Sequence, residues 1–181
     1  PAPGFQGPYV VKIRSADVLH KTDGGGVLLG VDRAGLAAAV DRIRGRFPGS
    51  CALVEEQVSF AGPAFIVGAF RYAVFGTAVM AGAGGILTEL YRDVAFRLVP
   101  CTRREALRML RELAVFPALE DFRGLAMDAG GLAEVVAAVA GLVEDLGDCF
   151  SQMDINPLVC TAGGWTVLDA KILLAPCAAP H

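Results

Sequence analysis

Met153-Asp154-Ile155-Asn156-Pro157, followed after a turn by Leu168-Asp169-Ala170-Lys171, governs the reading of the rest of the chain. Thr161-Ala162-Gly163-Gly164 has the composition of a hairpin turn between two short apolar strands, 152–160 and 165–172. With the turn centred between Ala162 and Gly163, Asn156 lies opposite Asp169 and Asp154 opposite Lys171. Side chains alternate between the faces of a strand, so all four then share one face. An amide oxygen beside a carboxylate suits a hard cation such as Mg²⁺, which takes few protein ligands and keeps positions for phosphate oxygens. A slip of one residue would put Asn156 and Asp169 on opposite faces. The competing reading is a hairpin whose polar residues merely face water.

Working outward, composition excludes several classes. The chain has 181 residues, 54% of them hydrophobic and 22 of them glycine, with a formal charge of −3. That is enough for one domain or for two small lobes. No stretch reaches the ~20 uninterrupted apolar residues of a membrane span. The nearest, 131–146, is broken by Glu134, Glu144 and Asp145. There is no basic footprint for nucleic acid. Arg103, Arg104, Arg108 and Arg111 fall on one helix, as a solvated face would. The scattered Cys51, Cys101, Cys149, Cys160 and Cys177 lack metal-ligand or redox spacing and read as reduced thiols of a cytoplasmic protein. Pro1–Pro8 resembles no signal peptide; it is a turn-rich, unstructured or truncated entry into the strand that follows.

That strand, 9–14, carries Lys12 amid Val10, Val11 and Ile13, where a lysine is expensive to bury unless an anion meets it. The next segment runs His20-Lys21-Thr22-Asp23-Gly24-Gly25-Gly26 into a second strand, 27–31. Three glycines let the backbone approach a ligand, and successive N–H groups can cradle an anion. This is not a P-loop, because Gly-Lys-Ser/Thr is absent and no helix follows at once. A helix capped by Asp32 extends to about Phe47, and a strand at 51–58 contains Glu55-Glu56. Strands at 65–71 and 75–81 lead to a second glycine turn, 82–85, then to segments 86–91 and 94–99, with Glu89 and Asp93 flanking a short apolar stretch. Thr102, with Glu105 in capping-box position, starts a helix to about Ala114. Asp128 starts another to about Leu146, burying Leu132, Val135, Val136, Val139, Leu142, Val143 and Leu146.

Six segments in order, VVKIRSADVLHKTDGGGV, LVEEQV, FIVGAFRYAVFG, VMAGAGGILTELYRDVAFRLVP, MDINPLV and LDAKI, resemble the ATP-grasp domain of NDP-forming acyl-CoA synthetases. The family includes the beta subunit of ADP-forming acetate–CoA ligase, and the resemblance runs from about Tyr9 to Leu174. It implies an α+β ATP-grasp fold, two lobes whose antiparallel sheets clasp a nucleotide. The lobes would be 9–57, its N-terminal part missing, and 58–174, which bears the metal hairpin, with a tail at 175–181. It also implies ATP or ADP with Mg²⁺ as cofactors and a CoA-binding or CoA-ligase domain or subunit as partner. The implied activity is that of an acid–thiol ligase, moving a phosphoryl group between ATP and a histidine.

Residue by residue, Lys12 matches a lysine that contacts the nucleotide phosphates, and His20 is a candidate for transient phosphorylation. Lys21, Gly24, Gly25 and Gly26 match the phosphate-side loop. Glu55 and Glu56 match the inter-lobe hinge beside adenine and ribose, and Asn156 and Asp169 match the Mg²⁺ ligands. Two departures stand out: Ala64 and Tyr72 occupy positions where the family pattern has carboxylates. They leave a second expectation open, a degenerate, non-catalytic ATP-grasp module in a regulatory or scaffolding role.

Overall fold

Strand formation begins where β-branched residues cluster. In the computed structural model, which describes residues 4–14, 24–85, 92–121, 124 and 127–176, Tyr9–Arg14 forms β1. It pairs antiparallel with β2 (Val27–Val31) on one side and β3 (Cys51–Glu56) on the other. Val11 and Ile13 point to one face, where they bury against Ala39 and Ile43 of α1 (Leu36–Arg46). Lys12 points to the other. Asp32 does not cap α1 as the sequence suggested. Its carboxylate accepts the Gly35 N–H at 2.7 Å, closing a turn, and the helix begins one residue later with Gly35 at its N-cap. The chain divides into two compact units, Pro1–Ser59 and Phe60–His181.

Among the described residues, the second unit is a six-stranded antiparallel sheet backed by two α-helices. Its strands are β4 (Phe65–Tyr72), β5 (Gly76–Ala83), β6 (Val94–Leu98), β7 (Phe150–Thr161), β8 (Gly164–Val167) and β9 (Ala170–Leu174). They run in the order β6-β5-β4-β7-β8, and β9 pairs with the other end of β7. Phe65, Val67, Ala69, Val79, Ala81, Ala95 and Ile155 alternate onto one face and pack with α2 (Arg103–Leu110) and α3 (Ala129–Leu146). On α3, Leu132, Val136, Val139 and Val143 are buried as expected, but Leu142 is exposed and Ala133 and Ala140 take its share of the interface.

Helix ends follow from specific side chains. Thr102 and Glu105 form the expected capping box: the Thr102 hydroxyl accepts the Glu105 N–H at 3.3 Å, and Glu105 accepts the Thr102 N–H at 2.8 Å. The Thr102 hydroxyl also donates to the Glu105 carboxylate at 2.7 Å, and this bond, with the one from the Thr102 N–H, holds the Glu105 carboxyl below the usual glutamate range. The helix stops at Leu110 rather than near Ala114. Both oxygens of Asp93 accept the N–H groups of Ala114 and Val115 at 2.8 Å, which removes those donors from the helical ladder. The last turns tighten to i→i−3 bonds, Glu112 N–H to Met109 O and Leu113 N–H to Leu110 O. Asp128 caps α3 by accepting the Gly131 N–H at 2.9 Å, and its carbonyl accepts the Trp165 indole N–H at 2.8 Å. That indole stands edge-on to Phe65, tying β8 to the core.

The expectation of reduced cysteines throughout is corrected at one position. Cys51, Cys101 and Cys160 are free, whereas Cys149 is disulfide-bonded. Local spacing gave no hint, because the tertiary fold supplies the proximity: the Ala175 N–H donates to the Cys149 carbonyl at 2.9 Å, folding the end of β9 onto the start of β7.

Candidate functional site

The hairpin register is the one derived from the turn. Thr161 pairs with Gly164, Cys160 with Trp165 and Asp154 with Lys171. Between these pairs the Asn156 N–H donates to the Asp169 carbonyl at 3.1 Å, placing the two residues opposite each other. The partner arm is not one continuous strand: it breaks at Leu168–Asp169 into β8 and β9. Asp169 therefore sits at the interruption of a ladder, next to β7 but outside a regular strand. Asp154, Asn156, Asp169 and Lys171 are all half-buried.

A row of register partners extends this face across the sheet. Lys171 pairs with Asp154, Asp154 with Gly68, Gly68 with Met80 and Met80 with Phe96. At Gly68 a Cβ would come within 3.1 Å of the Met153 carbonyl and of Met80 Cγ, so the floor beside Asp154 is kept bare. Phe70, two residues on, meets Tyr72 and Phe96 edge-on with ring centroids 4.6 Å and 5.8 Å away. Core residues occupy the opposite face, and the strand alternation of β4, β5 and β7 assigns the two faces their different tasks.

The second glycine turn belongs to the same place, which spacing along the chain did not reveal. The Gly85 N–H donates to Asn156 Oδ1 at 3.0 Å, and the Gly84 N–H donates to the Ala64 carbonyl at 2.8 Å. A Cβ on Gly84 would lie 2.3 Å from the Phe65 backbone, and one on Gly82 would lie 2.2 Å from the Asp93 carbonyl. Only glycine permits these approaches, so the turn is locked on both sides and aims a fixed N–H at the Asn156 amide. Asp93 serves this architecture through its carbonyl and its two carboxylate bonds.

In the first unit Lys12 is buried, 7% exposed, and its ammonium lies 2.6 Å from Glu55 Oε2. Glu55 is opposite Val10, so the pair runs diagonally across β1 and β3; the residues directly opposite Lys12 are Leu53 and Val27. Glu56, opposite Tyr9, is exposed and alternates to the other face. The two glutamates that read alike in sequence are thus separated by the period of the strand. Gly24, Gly25 and Gly26 lead into β2, Gly25 with φ +65°, and the Gly26 carbonyl accepts the Ile13 N–H at 2.8 Å. Lys12, Glu55 and the three glycines are therefore brought together, and Glu56 is not. His20 and Lys21, like Glu89, lie outside the described residues.

Among the described residues no cluster of three or more His, Cys, Asp or Glu could hold a metal ion. The hairpin sets residue Asp169 opposite Asn156, with Asp154 two positions along β7, and carboxylate and amide oxygens of this kind fit a cation that takes few protein ligands and completes its shell with water and phosphate. They do not fit zinc, which asks for sulfur and imidazole.

A three-stranded sheet with one helix, followed by a larger helix-backed antiparallel sheet, is an α+β arrangement, and comparison with known proteins places it. Residues 2–174 match the ATP-grasp domain. The chain belongs to the ATP-grasp family and has its fold, in the branch of ADP-forming acetate–CoA ligases. It is 32% identical over 175 residues to the Pyrococcus furiosus acetate–CoA ligase [ADP-forming] I subunit beta, covering 92% of this chain and 75% of that one. It is 36% identical to the Archaeoglobus fulgidus acetate–CoA ligase [ADP-forming] I, where 92% of this chain matches only 25% of the relative. The chain thus spans a quarter of that longer relative. A Ca. Korarchaeum cryptofilum dinucleotide forming acetyl-coenzyme A synthetase 1, in complex with coenzyme A and Mg-AMPPCP, superposes with a TM-score of 0.79 at 32% identity, covering 94% of this chain and 78% of that one. No helix among the described residues is long and apolar enough to cross a membrane.

Proposed function

We propose that this chain is the nucleotide-binding part of an ADP-forming acyl-CoA synthetase, handling phosphoryl transfer between ATP or ADP and a histidine while acid and acyl-CoA interconvert. The observation that carries the reading is the hairpin register, which sets Asn156 opposite Asp169 in a chain of this family. The Korarchaeum relative is named as a complex with Mg-AMPPCP and with its phosphohistidine segment pointing towards the nucleotide binding site. That relative supports a divalent cation, Mg²⁺, with the nucleotide here.

Asn156 and Asp169 would hold the cation, which when bound neutralises charge on the phosphates during transfer. Gly85 holds the Asn156 amide in place through Oδ1 and so fixes the donor geometry before any ligand arrives. Lys12 presents a buried ammonium, a fixed positive charge for the phosphates, and the N–H groups around Gly24–Gly26 add backbone donors. Lys21 belongs to the same loop, and His20 is the candidate phosphoryl acceptor within it. Residues 9–57 would serve as the nucleotide lobe and 58–174 as the metal lobe, with Glu55 and Glu56 at the hinge. The partner would be a CoA-binding domain or subunit of the same synthetase, in the cytoplasm.

The test is calorimetric titration with ADP and ATP, with and without Mg²⁺. The intact chain should bind in an Mg²⁺-dependent way, and Asp169→Ala should lose that dependence. Unchanged affinity in the variant would remove Asp169 from the site.

A non-catalytic module is the second reading, favoured by Tyr72, which is 52% exposed and stacks edge-on to Phe70 where the family pattern has an acid. If erosion limits turnover, Ala64→Glu with Tyr72→Asp should raise phosphoryl transfer. No gain would count against erosion.

A further inference from the structure

We infer that Glu55 is a built-in competitor for the phosphate site, its carboxylate standing at Lys12 Nζ where a nucleotide phosphate would bind. The inference rests on the reading of Lys12 as a phosphate-binding residue. Three observations point to it. The residues directly opposite Lys12 are apolar, so the strand register itself supplies no anion. Glu55 reaches the ammonium diagonally, at 2.6 Å. The side chains differ in burial, 8% exposed for Lys12 against 40% for Glu55.

That asymmetry decides which partner moves. A buried ammonium left without a polar partner is costly, whereas a half-exposed carboxylate can turn to water at little expense. Phosphate binding then exchanges one anion for another at a stationary lysine. Glu55 also raises the concentration of small anions needed to occupy the site, because any phosphate must displace it or tolerate its charge at close range. Glu55 is thus a specificity device: a ligand with further anchors, a base and a metal-bridged polyphosphate, displaces it more readily than a lone anion.

The opposite assignment, Glu55 as a carboxylate that holds ribose, predicts the opposite sign for its removal. The experiment is titration of the full chain and of Glu55→Gln with MgADP and with adenosine, each protein checked by thermal melting. Glutamine retains an oxygen for the Lys12 ammonium, so the variant should fold. Glu55→Gln should tighten ADP binding roughly tenfold, the effect of removing one partly screened like charge, with no such gain for adenosine, which brings no phosphate to Lys12. Unchanged or weaker ADP binding by Glu55→Gln overturns the competitor role. If ADP binds the parent and is lost in Asp169→Ala while Glu55→Gln brings no gain, only this inference fails. If neither the parent nor Glu55→Gln binds ADP, the nucleotide reading fails and this inference with it.

Discussion

The two units solve the same problem with very different means. Up to Ser59, among the described residues, one helix covers one face of three strands, and the buried cluster consists of Val11, Ile13, Ala39 and Ile43. Beyond it, two helices back six strands around a cluster of twenty-three buried residues among those described, from Phe65 to Leu158. The small unit carries a buried lysine paired with a half-exposed glutamate, and the large unit carries Asn156 and Asp169 on a well-packed sheet. If that pair holds a cation, as proposed, the rigid support fixes the spacing of its donors. The lysine of the small unit sits on a sheet with little apolar burial to spare, and its ion pair with Glu55 offsets part of the cost of burying it.

The comparison can be broken most directly in the small core. Ile43→Ala truncates one of the four described members of that cluster, a loss of about 2–5 kcal/mol for a substitution of this type. Hydrogen exchange should show β1, β2 and α1 losing protection while α3 and β7 keep theirs. Loss of protection everywhere would show that the units do not unfold separately. The matching change in the large core, Leu110→Ala, falls in the same range, about 3 kcal/mol. It should lower the denaturant midpoint with the sheet still formed, because twenty-two other residues share the cluster. Thr102→Ala removes the cap of α2 and should cost about 1 kcal/mol, read as a small shift of the same midpoint.

The smallest effect is acid sensitivity at that cap. Thr102 holds the Glu105 carboxyl below its ordinary value of 4.5, so the folded state binds that proton less readily than the unfolded chain. The stabilisation is complete above the ordinary glutamate value and fades as pH falls through the lowered folded value. Glu105→Gln should therefore lower stability slightly at neutral pH and flatten the acid limb of a stability–pH profile, converging with the parent at low pH. An unaltered acid limb would assign the acid sensitivity to other carboxylates.

Much of this was legible along the chain because the information is local. Alternation in Tyr9–Arg14 and Val27–Val31 gave those strands at their observed limits, and Thr102 with Glu105 announced a helix start. The turn at Ala162-Gly163 fixed the register of Asp154 with Lys171 and of Asn156 with Asp169, since pairing in a hairpin follows from its turn. Order and composition of six short segments identified the family. What residue order could not supply were contacts between distant segments. The early end of α2 comes from Asp93, the orientation of Asn156 from Gly85 seventy-one residues away, and the bonded state of Cys149 from the fold that brings the end of β9 against it. The anion beside Lys12 is the clearest case. The sequence required some anion for a buried lysine, because an unpaired ammonium is costly away from water. That it is Glu55 and not Glu56 was decided by strand pairing in three dimensions, where a shift of one residue changes the face.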